Sequence, residues 1–244
     1  MPGLFITGTD TDCGKTFVSC RIIEMLRDQG MRVGGFKPVA AGAAFRDGKL
    51  RNDDVLALAA ASRLDLPYAL MNPYCLAPAI APHLAAAEAG LKIELPPVLR
   101  AFEQIRARCD VVIVEGAGGW AVPLGDDFDI AGLAVAIGLP VILVIGLRLG
   151  CINHARLSEQ AILASGATLA GWIGTQVDPQ MPRLAENVST LRSSLNAPCL
   201  GILPHTLGGV CPAAQPLLPG VLQAAAGWPG LGAGSDAAAN IHTF

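Results

Sequence analysis

A glycine-rich loop near the N-terminus carries the first residues that could do chemistry. Residues 8–16 read GTDTDCGKT, follow the apolar run LFIT and precede an apolar helical stretch. In such a strand, loop and helix unit, backbone N–H groups surround phosphate oxygens, Lys15 neutralises phosphate charge and the Thr16 hydroxyl can bind magnesium. Five residues separate Gly8 from Gly14, one more than in the common P-loop pattern, so the sequence predicts a variant phosphate-binding loop.

Two acidic residues inside this loop need a cation or a basic group beside them. Asp10 and Asp12 would repel phosphate unless one of them faces such a group, so we expect Asp12 to help position a substrate amine. Partitioning ATPases of the related class carry a second lysine four residues before the glycine of GKT, and Asp10 occupies that position here. The loop therefore argues against a partitioning ATPase.

Carboxylates elsewhere in the chain can complete a magnesium site. Glu115 ends the apolar run VVIVE, and open α/β sheets bind ligands at the carboxyl ends of such strands; a glutamate merely solvated there is the alternative. Asn52, Asp53 and Asp54 precede a predicted helix, and capping by Asn52 or Asp53 would explain one acid and leave the other free for a metal. Magnesium prefers oxygen ligands, so Thr16, Asp54 and Glu115 form a chemically sensible set.

A second lysine, Lys37, lies between an apolar strand and a proline in the run GGFKPV. At that strand end it is expected to point into the cleft, where it would stabilise charge on a transferred phosphoryl group or on a carboxylate-like substrate. The alternative is a lysine that lies along the apolar surface with its ammonium group in water.

Alternating strands and helices must position these residues. The short apolar or β-branched runs predicted as strands are 4–7, 33–38, 111–115, 141–146, 171–177 and 199–203. The helices predicted between them are 15–29, 53–63, 96–108, 152–165 and 182–195. This alternation is typical of a doubly wound, mostly parallel α/β sheet with helices on both faces, in a single domain over residues 1–204. Residues 205–244 are rich in Gly, Ala and Pro and are expected to form a loosely ordered tail.

Composition restricts the partners and the compartment. A net charge of −3 leaves no electrostatic footprint for nucleic acid or for an anionic membrane surface. The seven cysteines are odd in number and include no Cys-x-x-Cys pair, which indicates reduced thiols in the cytoplasm without a disulfide framework or a zinc site. No secretory signal is expected at the N-terminus, because it lacks a basic region. Residues 130–147 carry no charge, but Gly132, Gly138 and Pro140 divide them into a short helix, a turn and a buried strand, not a membrane span.

Seven motifs occur together and in order between about residues 1 and 204: GTDTDCGKT, GGFKPVAAG, RNDD, NPYCLAPAIAPH, VVIVEGAGGWAVPL, PVILVIGLRLGCINHA and LAGWIGTQV. As a set they resemble dethiobiotin synthetase, a family of P-loop ATP-dependent carboligases. The resemblance implies a homodimer that uses ATP and Mg²⁺. It also implies the reaction, in which carbon dioxide converts one amine of 7,8-diaminopelargonic acid to a carbamate, ATP phosphorylates that carbamate, and the second amine closes the ureido ring.

The resemblance also implies roles for individual residues. Those implied to bind the nucleotide are Gly8, Asp12, Cys13, Gly14, Lys15, Thr16, Glu115 and Thr175, and the implied magnesium ligands are Thr16, Asp54 and Glu115. Lys37, Lys15 and Thr11 are the implied catalytic residues, with Lys37 in contact with the carbamate and the γ-phosphate. The family often has glutamate where this chain has Asp12, whose side chain is shorter by one methylene.

Residues implied to bind the diamine substrate are Thr11, Lys37, Ala41, Gly150, Cys151 and Asn153. The helix that begins at residues 150–153 is implied to reach across the dimer and hold the substrate carboxylate, and helix N-termini do favour anions. Family members often carry serine at Ala41, and an adenine-facing asparagine at Thr175. Without that asparagine, base selectivity is expected to be relaxed, or to be supplied by Gln176 or by the last loops.

Two other functions stay open on the sequence alone. One is a cobyrinate-type amide ligase, although the chain has no room for the glutaminase domain of that class. The other is an ATP-driven switch or partitioning protein, for which the chain lacks the second loop lysine and any basic patch. The substrate dependence of ATP hydrolysis separates these functions.

Overall fold

The computed structural model describes residues 2–206 and residue 221. Over these residues the strands are β1 (Gly3–Gly8), β2 (Val33–Phe36), β3 (Val39–Ala40), β4 (Ala44–Arg46), β5 (Lys49–Arg51), β6 (Tyr74–Cys75), β7 (Val111–Gly119), β8 (Val141–Gly146), β9 (Leu169–Thr175) and β10 (Cys199–Leu203). The helices are α1 (Lys15–Asp28), α2 (Asp53–Ser62), α3 (Tyr68–Met71), α4 (Pro82–Glu88), α5 (Leu95–Arg106), α6 (Ile130–Ile137), α7 (Cys151–Ala164) and α8 (Leu184–Ser194). The predicted tail at 205–244 lies almost entirely outside the described residues.

Six strands form one sheet in the order β10-β9-β8-β1-β7-β2, and every pairing in it is parallel. The N-terminal strand β1 lies inside the sheet, with Ile6 opposite Glu115 in β7 and Ile142 in β8. A strand covered on both faces needs apolar residues at nearly every position, and every residue of β1 and β8 is buried. The predicted parallel α/β sheet is therefore confirmed.

Helices cover both faces of the sheet, and two adjacent glycines of β2 show this directly. A Cβ atom added to Gly34 would lie 2.8 Å from Ile105 of α5, whereas one added to Gly35 would lie 2.9 Å from Leu58 of α2. Neighbouring residues of a strand point to opposite faces, so α5 and α2 lie on different sides of the sheet. The two glycines let both helices pack closely against β2.

The long elements follow their predictions within a few residues. β2 ends at Phe36 and not at residue 38, because the Lys37 N–H already donates to Met71 O (3.0 Å) and Pro38 has no N–H to offer. The pairs β3 with β6 and β4 with β5, and the short helices α3 and α4, were not predicted. Elements of two to seven residues are too short to show a hydrophobic period.

None of the helices in the described part of the chain is long and apolar enough to cross a membrane. The cysteines there are free thiols, namely Cys13, Cys20, Cys75, Cys109, Cys151 and Cys199. Burial, reinforced by the charge of Glu115, raises the pKa of the Cys20 thiol to about 12. That thiol is therefore protonated at neutral pH and unreactive.

Candidate active site

The glycine-rich loop joins β1 to α1 at the carboxyl edge of the sheet. Its two glycines are required by geometry, because a side chain at Gly8 would collide with the sulfur of Cys13 and Gly14 has a φ of +93°. The Thr9 N–H donates to Val144 O of β8 (3.0 Å), which ties the start of the loop to the neighbouring strand. Lys15 is buried and its ammonium donates to Asp10 O (2.7 Å), so the lysine folds back over its own loop.

The two acids of the loop have different surroundings. Asp10 forms an ion pair with Arg148 in the loop after β8, and its Oδ2 lies 3.9 Å from His154 Nδ1. Asp10 is thus the loop acid that faces a cation. Asp12 is exposed at the rim of the cleft and has a φ of 57°, a conformation that aspartate tolerates in tight turns. Its carboxylate is available to a basic group of a ligand.

A buried charge cluster lies beside the loop. The Lys37 ammonium is 2.6 Å from Glu115 Oε1 and 3.0 Å from Asp54 Oδ2, and the Thr16 hydroxyl donates to Glu115 Oε1 (2.8 Å). Lys37 is 4% exposed and Glu115 is fully buried. Lys37 therefore does not extend along the surface into water. Lys37 directly follows β2, and Thr16 and Asp54 lie at the starts of α1 and α2. Glu115 lies within β7, which continues to Gly119 and does not end at residue 115 as predicted. These positions bring the four side chains to one point.

The start of α2 explains why Asp54 is free to join this cluster. The side chain of Asn52 caps the helix by accepting hydrogen bonds from the N–H groups of Asp54 (3.1 Å) and Val55 (3.4 Å). Asp53 pairs with the exposed Arg46 of the β4–β5 hairpin. Capping thus uses neither acid, and only Asp54 turns towards Lys37.

Lys37 and the acids beside it stabilise each other's charged forms. Burial alone would lower the pKa of Lys37, but the charges of Glu115 and Asp54 outweigh it and the net pKa is raised. Burial alone would raise the pKa of Asp54, but the Lys37 charge and hydrogen bond outweigh it and the net pKa is lowered. Lys37 and Asp54 are therefore both charged at neutral pH.

The donor set fits a magnesium ion that is also bound by phosphate. Two carboxylates and the Thr16 hydroxyl meet at one point, and the Lys37 ammonium already places a positive charge between the acids. Glu115 Oε2 is buried and has no hydrogen-bond partner among the described residues, so one carboxylate oxygen is left for a ligand. No group of three or more His, Cys, Asp or Glu side chains in the described part of the chain could hold a metal alone. Nucleotide oxygens and water would have to supply the remaining ligands.

A cleft of about 910 Å³ opens over the loop and the charge cluster. Its charged side consists of Asp12, Lys15, Thr16, Lys37 and Asp54, with Thr11 and Gly14 beside them. Its apolar wall, as we call it below, consists of Ala79, Ile80, Ala81, Pro82 and Val122. Sequence reasoning assigned no role to these apolar residues, although they occur in the motifs NPYCLAPAIAPH and GAGGWAVPL. Isolated alanines and prolines give no chemical signal, and only the fold brings them to the cleft.

Of the other predicted site residues, some line the cleft and some do not. Ala41 lines the cleft, and its carbonyl accepts a hydrogen bond from Asn52 Nδ2 (3.1 Å). Thr175 does not line the cleft; it is 4% exposed beneath the loop, and its hydroxyl donates to Cys13 O. Residues 150–153 do not line it either. Gly150, with a φ of 96°, caps α7 at the end of β8, beyond Arg148.

Comparison with known proteins places the chain in a family. The model of the AAA domain family matches residues 2–208. The ATP-dependent dethiobiotin synthetase of Xylella fastidiosa (strain Temecula1) is 53% identical over 209 residues, which cover 86% of this chain and 92% of that protein. The synthetases of Aromatoleum aromaticum (52% identical, 84% and 91% covered) and Ralstonia nicotianae (51% identical, 82% and 88% covered) are similarly related.

Solved structures with much lower identity share the fold. The MinC:MinD complex of Aquifex aeolicus matches with a TM-score of 0.53 at 15% identity, covering 84% of this chain and 82% of that one. A ParA family ATPase from Chlorobium tepidum matches with a TM-score of 0.52 at 13% identity, covering 84% and 85%. At such identities the likeness concerns the P-loop fold alone. The relatives at about half identity over most of both chains decide the family: this chain belongs to the ATP-dependent dethiobiotin synthetases.

Proposed function

We propose that the chain converts 7,8-diaminopelargonic acid, carbon dioxide and ATP to dethiobiotin, ADP and phosphate, in the cytoplasm. The observation that carries the proposal is the buried Lys37 ammonium, held between Glu115 and Asp54 in the same cleft as Lys15 and Thr16 of the loop. A cation at that point can meet both a carbamate and a terminal phosphate, the two groups that must react. Membership of the family supports the same reaction.

Three bond-forming steps make up the reaction. One amine nitrogen adds to the carbon of carbon dioxide and loses a proton, which gives a carbamate. A carbamate oxygen then attacks the γ-phosphorus of ATP, and the bond from phosphorus to the β,γ-bridging oxygen breaks to release ADP. Finally the second amine attacks the carbonyl carbon of the mixed anhydride and loses a proton, while the bond from that carbon to the phosphate oxygen breaks.

The charged side of the cleft serves the second and third steps. The N–H groups of the loop, Lys15 and Thr11 hold the phosphates, and Lys37 stabilises the negative charge that develops between carbamate and γ-phosphate. Asp12, exposed at the rim, would hold the ammonium form of a substrate amine before that amine reacts. Bound magnesium, held by Thr16, Asp54 and Glu115, would supply charge neutralisation at the β- and γ-phosphates.

The apolar wall serves the carbon chain of the substrate. Ala79, Ile80, Pro82 and Val122 offer contact to methylene groups next to the charged residues that take the amines. Ala41 lies in the same cleft, where its methyl group offers no hydrogen bond to the carbamate. This arrangement matches a substrate with two amines at one end of an aliphatic chain.

The carboxylate at the other end of the substrate needs an anion site, and we place it on a second subunit. The start of α7 at Gly150, Cys151 and Asn153 is a helix N-terminus, which favours anions, but it does not line the cleft of its own chain. Leu149 directly precedes α7 and Leu157 lies within it; they are exposed to 95% and 56%, and we place the contact with a second copy at these residues. The functional unit would then be a homodimer with composite sites.

Mixed dimers test this arrangement. Lys15→Gln disables the loop of one chain, and Asn153→Trp blocks the helix start of the other, so each variant alone should be inactive. Mixed dimers should regain part of the activity, because one of their two sites combines two intact halves. Heterodimers that form but stay inactive would show that each site is built within one chain.

The overall function is tested by mixing the purified chain with the diamine, bicarbonate, Mg²⁺ and ATP. We expect dethiobiotin in the products and phosphate release that depends on the diamine. ATP hydrolysis that proceeds equally without the diamine would instead indicate a switch or partitioning ATPase. Amide formation from glutamine or ammonia would indicate an amide ligase.

A further inference from the structure

Thr175, the last residue of β9, lies directly beneath the phosphate-binding loop. Its hydroxyl donates to the carbonyl of Cys13, and Ile145 O is a second acceptor at 3.4 Å. Its methyl group lies where a side chain on Gly14 would be, since a Cβ atom built there would come within 2.9 Å of Thr175 Cγ2. The side chain is 4% exposed. The hydroxyl and the methyl group of Thr175 therefore both contact the peptide that joins Cys13 to Gly14.

These contacts leave Thr175 no means to read a nucleotide base. A hydroxyl has one proton, and the Cys13 carbonyl takes it. The hydroxyl oxygen could still accept a hydrogen bond, but it belongs to a side chain that is buried beneath the loop. The methyl group is covered by the loop, and the residue is not among those that line the cleft. Contact with adenine, as implied for an asparagine at this position, would require the side chain to leave its place under the loop. The influence of Thr175 on the nucleotide must pass through the loop.

The peptide between Cys13 and Gly14 explains how that influence acts. In a planar trans peptide the carbonyl of one residue and the N–H of the next point in opposite directions. A hydroxyl that holds the Cys13 carbonyl from below therefore turns the Gly14 N–H the other way. Gly14 lines the cleft, where the loop closes around phosphate. The end of β8 supports the same peptide, because a Cβ atom on Gly146 would lie 3.1 Å from Cys13 Cα.

We propose that Thr175 is a positioning residue that fixes the Gly14 N–H towards the triphosphate, and so strengthens nucleotide binding in a manner independent of the base. The inference rests on the proposed function only in that the loop binds a nucleotide triphosphate. Most of the effect of Thr175 on nucleotide binding comes from its hydroxyl and not from its methyl group. A buried carbonyl without a hydrogen-bond donor costs more free energy than a small void. Serine at this position should therefore support nucleotide binding nearly as well as threonine, and valine should weaken it.

The experiment compares Thr175→Val, which keeps the shape and removes the hydroxyl, with Thr175→Ser, which keeps the hydroxyl. Dissociation constants are measured by calorimetry for MgATP, MgGTP and inorganic tripolyphosphate, a probe that has no base. Loss of the hydrogen bond should weaken all three about tenfold in Thr175→Val, and Thr175→Ser should stay within about threefold of the wild type. In turnover, KM for ATP should rise by the same factor, with KM for the diamine and the ratio of ATP to GTP affinity unchanged.

Thr7→Val is the matched control. Thr7 is also buried, and its hydroxyl has no hydrogen-bond partner among the described residues, so the same substitution removes no bond there. It should leave all three dissociation constants unchanged. If Thr175→Val does not fold, Thr175→Ala and Thr175→Ser give the same comparison without the methyl group: the alanine variant should bind tripolyphosphate about tenfold more weakly than the serine variant.

Two results would overturn the inference. One is tripolyphosphate affinity in Thr175→Val equal to that of the wild type. The other is a changed ratio of ATP to GTP affinity, which would mean that Thr175 reads the base after all. Failure of the proposed function looks different: a wild type that binds tripolyphosphate but makes no dethiobiotin refutes the function, while the comparison of the threonine variants still decides the role of Thr175.

Discussion

Lys37 and Ile80 line the same cleft from different elements and depend on different forces. Lys37 is buried, and its ammonium lies within 3.0 Å of two carboxylates, so its position is fixed by charge and hydrogen bonds. Ile80 is 41% exposed and belongs to an apolar wall that carries no charged side chain. The contrast teaches that one side of the cleft should determine the rate of the reaction, and the other which substrate fits. Substitutions on the two sides should therefore change different kinetic constants.

The largest effect is expected at Lys37. Lys37→Gln removes the charge that stabilises the transferred phosphoryl group, so kcat should fall by about 10² to 10³-fold while KM for ATP changes much less. Steady-state kinetics with saturating diamine measure both constants. Lys49→Gln, at an exposed lysine of β5, is the control and should behave as the wild type. A loss confined to KM would contradict the role assigned to the lysine.

The second largest effect is expected on the magnesium dependence of the activity. Glu115→Gln keeps the shape of a fully buried side chain but removes its charge, so the magnesium concentration at half-maximal activity should rise at least tenfold. Asp54→Asn should cause a smaller rise, because the side chain of Asp54 is 42% exposed and water can replace it. Titration of Mg²⁺ at fixed ATP measures both, and circular dichroism checks the fold. Wild-type magnesium dependence in both variants would refute the proposed metal site.

Substitutions in the apolar wall should change only the affinity for the diamine. Ile80→Ala removes apolar contact from a partly exposed side chain, so KM for the diamine should rise about three- to tenfold, with KM for ATP unchanged. Leu91→Ala, at a residue that is 51% exposed and does not line the cleft, is the matched control. A fall in kcat without a change in KM for the diamine would remove the distinction between the two sides.

The smallest effect is expected at Ala41, which lies in the cleft beside the charged side. Ala41→Ser adds one hydroxyl that can donate a neutral hydrogen bond to the carbamate, so kcat/KM for the diamine should rise about two- to fivefold. Steady-state kinetics of the wild type and the variant, measured side by side over a range of diamine concentrations, resolve such a difference. A large loss would mean that the site has no room for the added oxygen atom.

Much of the charged side could be predicted from sequence because its residues end predicted elements. Gly8 ends the apolar strand β1, Glu115 follows the apolar run VVIV within β7, and Lys15 and Asp54 lie in the first turns of helices, so the order of elements alone brings them towards one edge of the sheet. The sequence did not reveal the ion pair between Asp10 and Arg148, because it depends on how the loop after β8 turns back. The apolar wall was missed for a related reason: its alanines and prolines lack any chemical mark of their own.

Thr175 shows a different limit of prediction from sequence. The resemblance aligned it with an adenine-facing asparagine, but a shorter side chain at the same strand end meets a different partner, the Cys13 carbonyl. That contact joins residues far apart in the sequence, and no pattern along the chain reports it. The fold class, in contrast, followed from the alternation of buried strands and helices, a property of the whole chain that single substitutions do not disturb.

The central position of β1 has a consequence for the biosynthesis of the protein. The partners of Ile6 are Glu115 in β7 and Ile142 in β8, so β1, which is synthesised before both of them, cannot pair on either side until much of the chain has followed. At a synthesis rate of about 5–20 residues per second, that delay is on the order of ten seconds. Because pairs so distant in sequence also close slowly, an apolar strand waits unpaired in the nascent chain. The apolar segment LFIT is therefore without its sheet partners for longer than any other strand of the sheet.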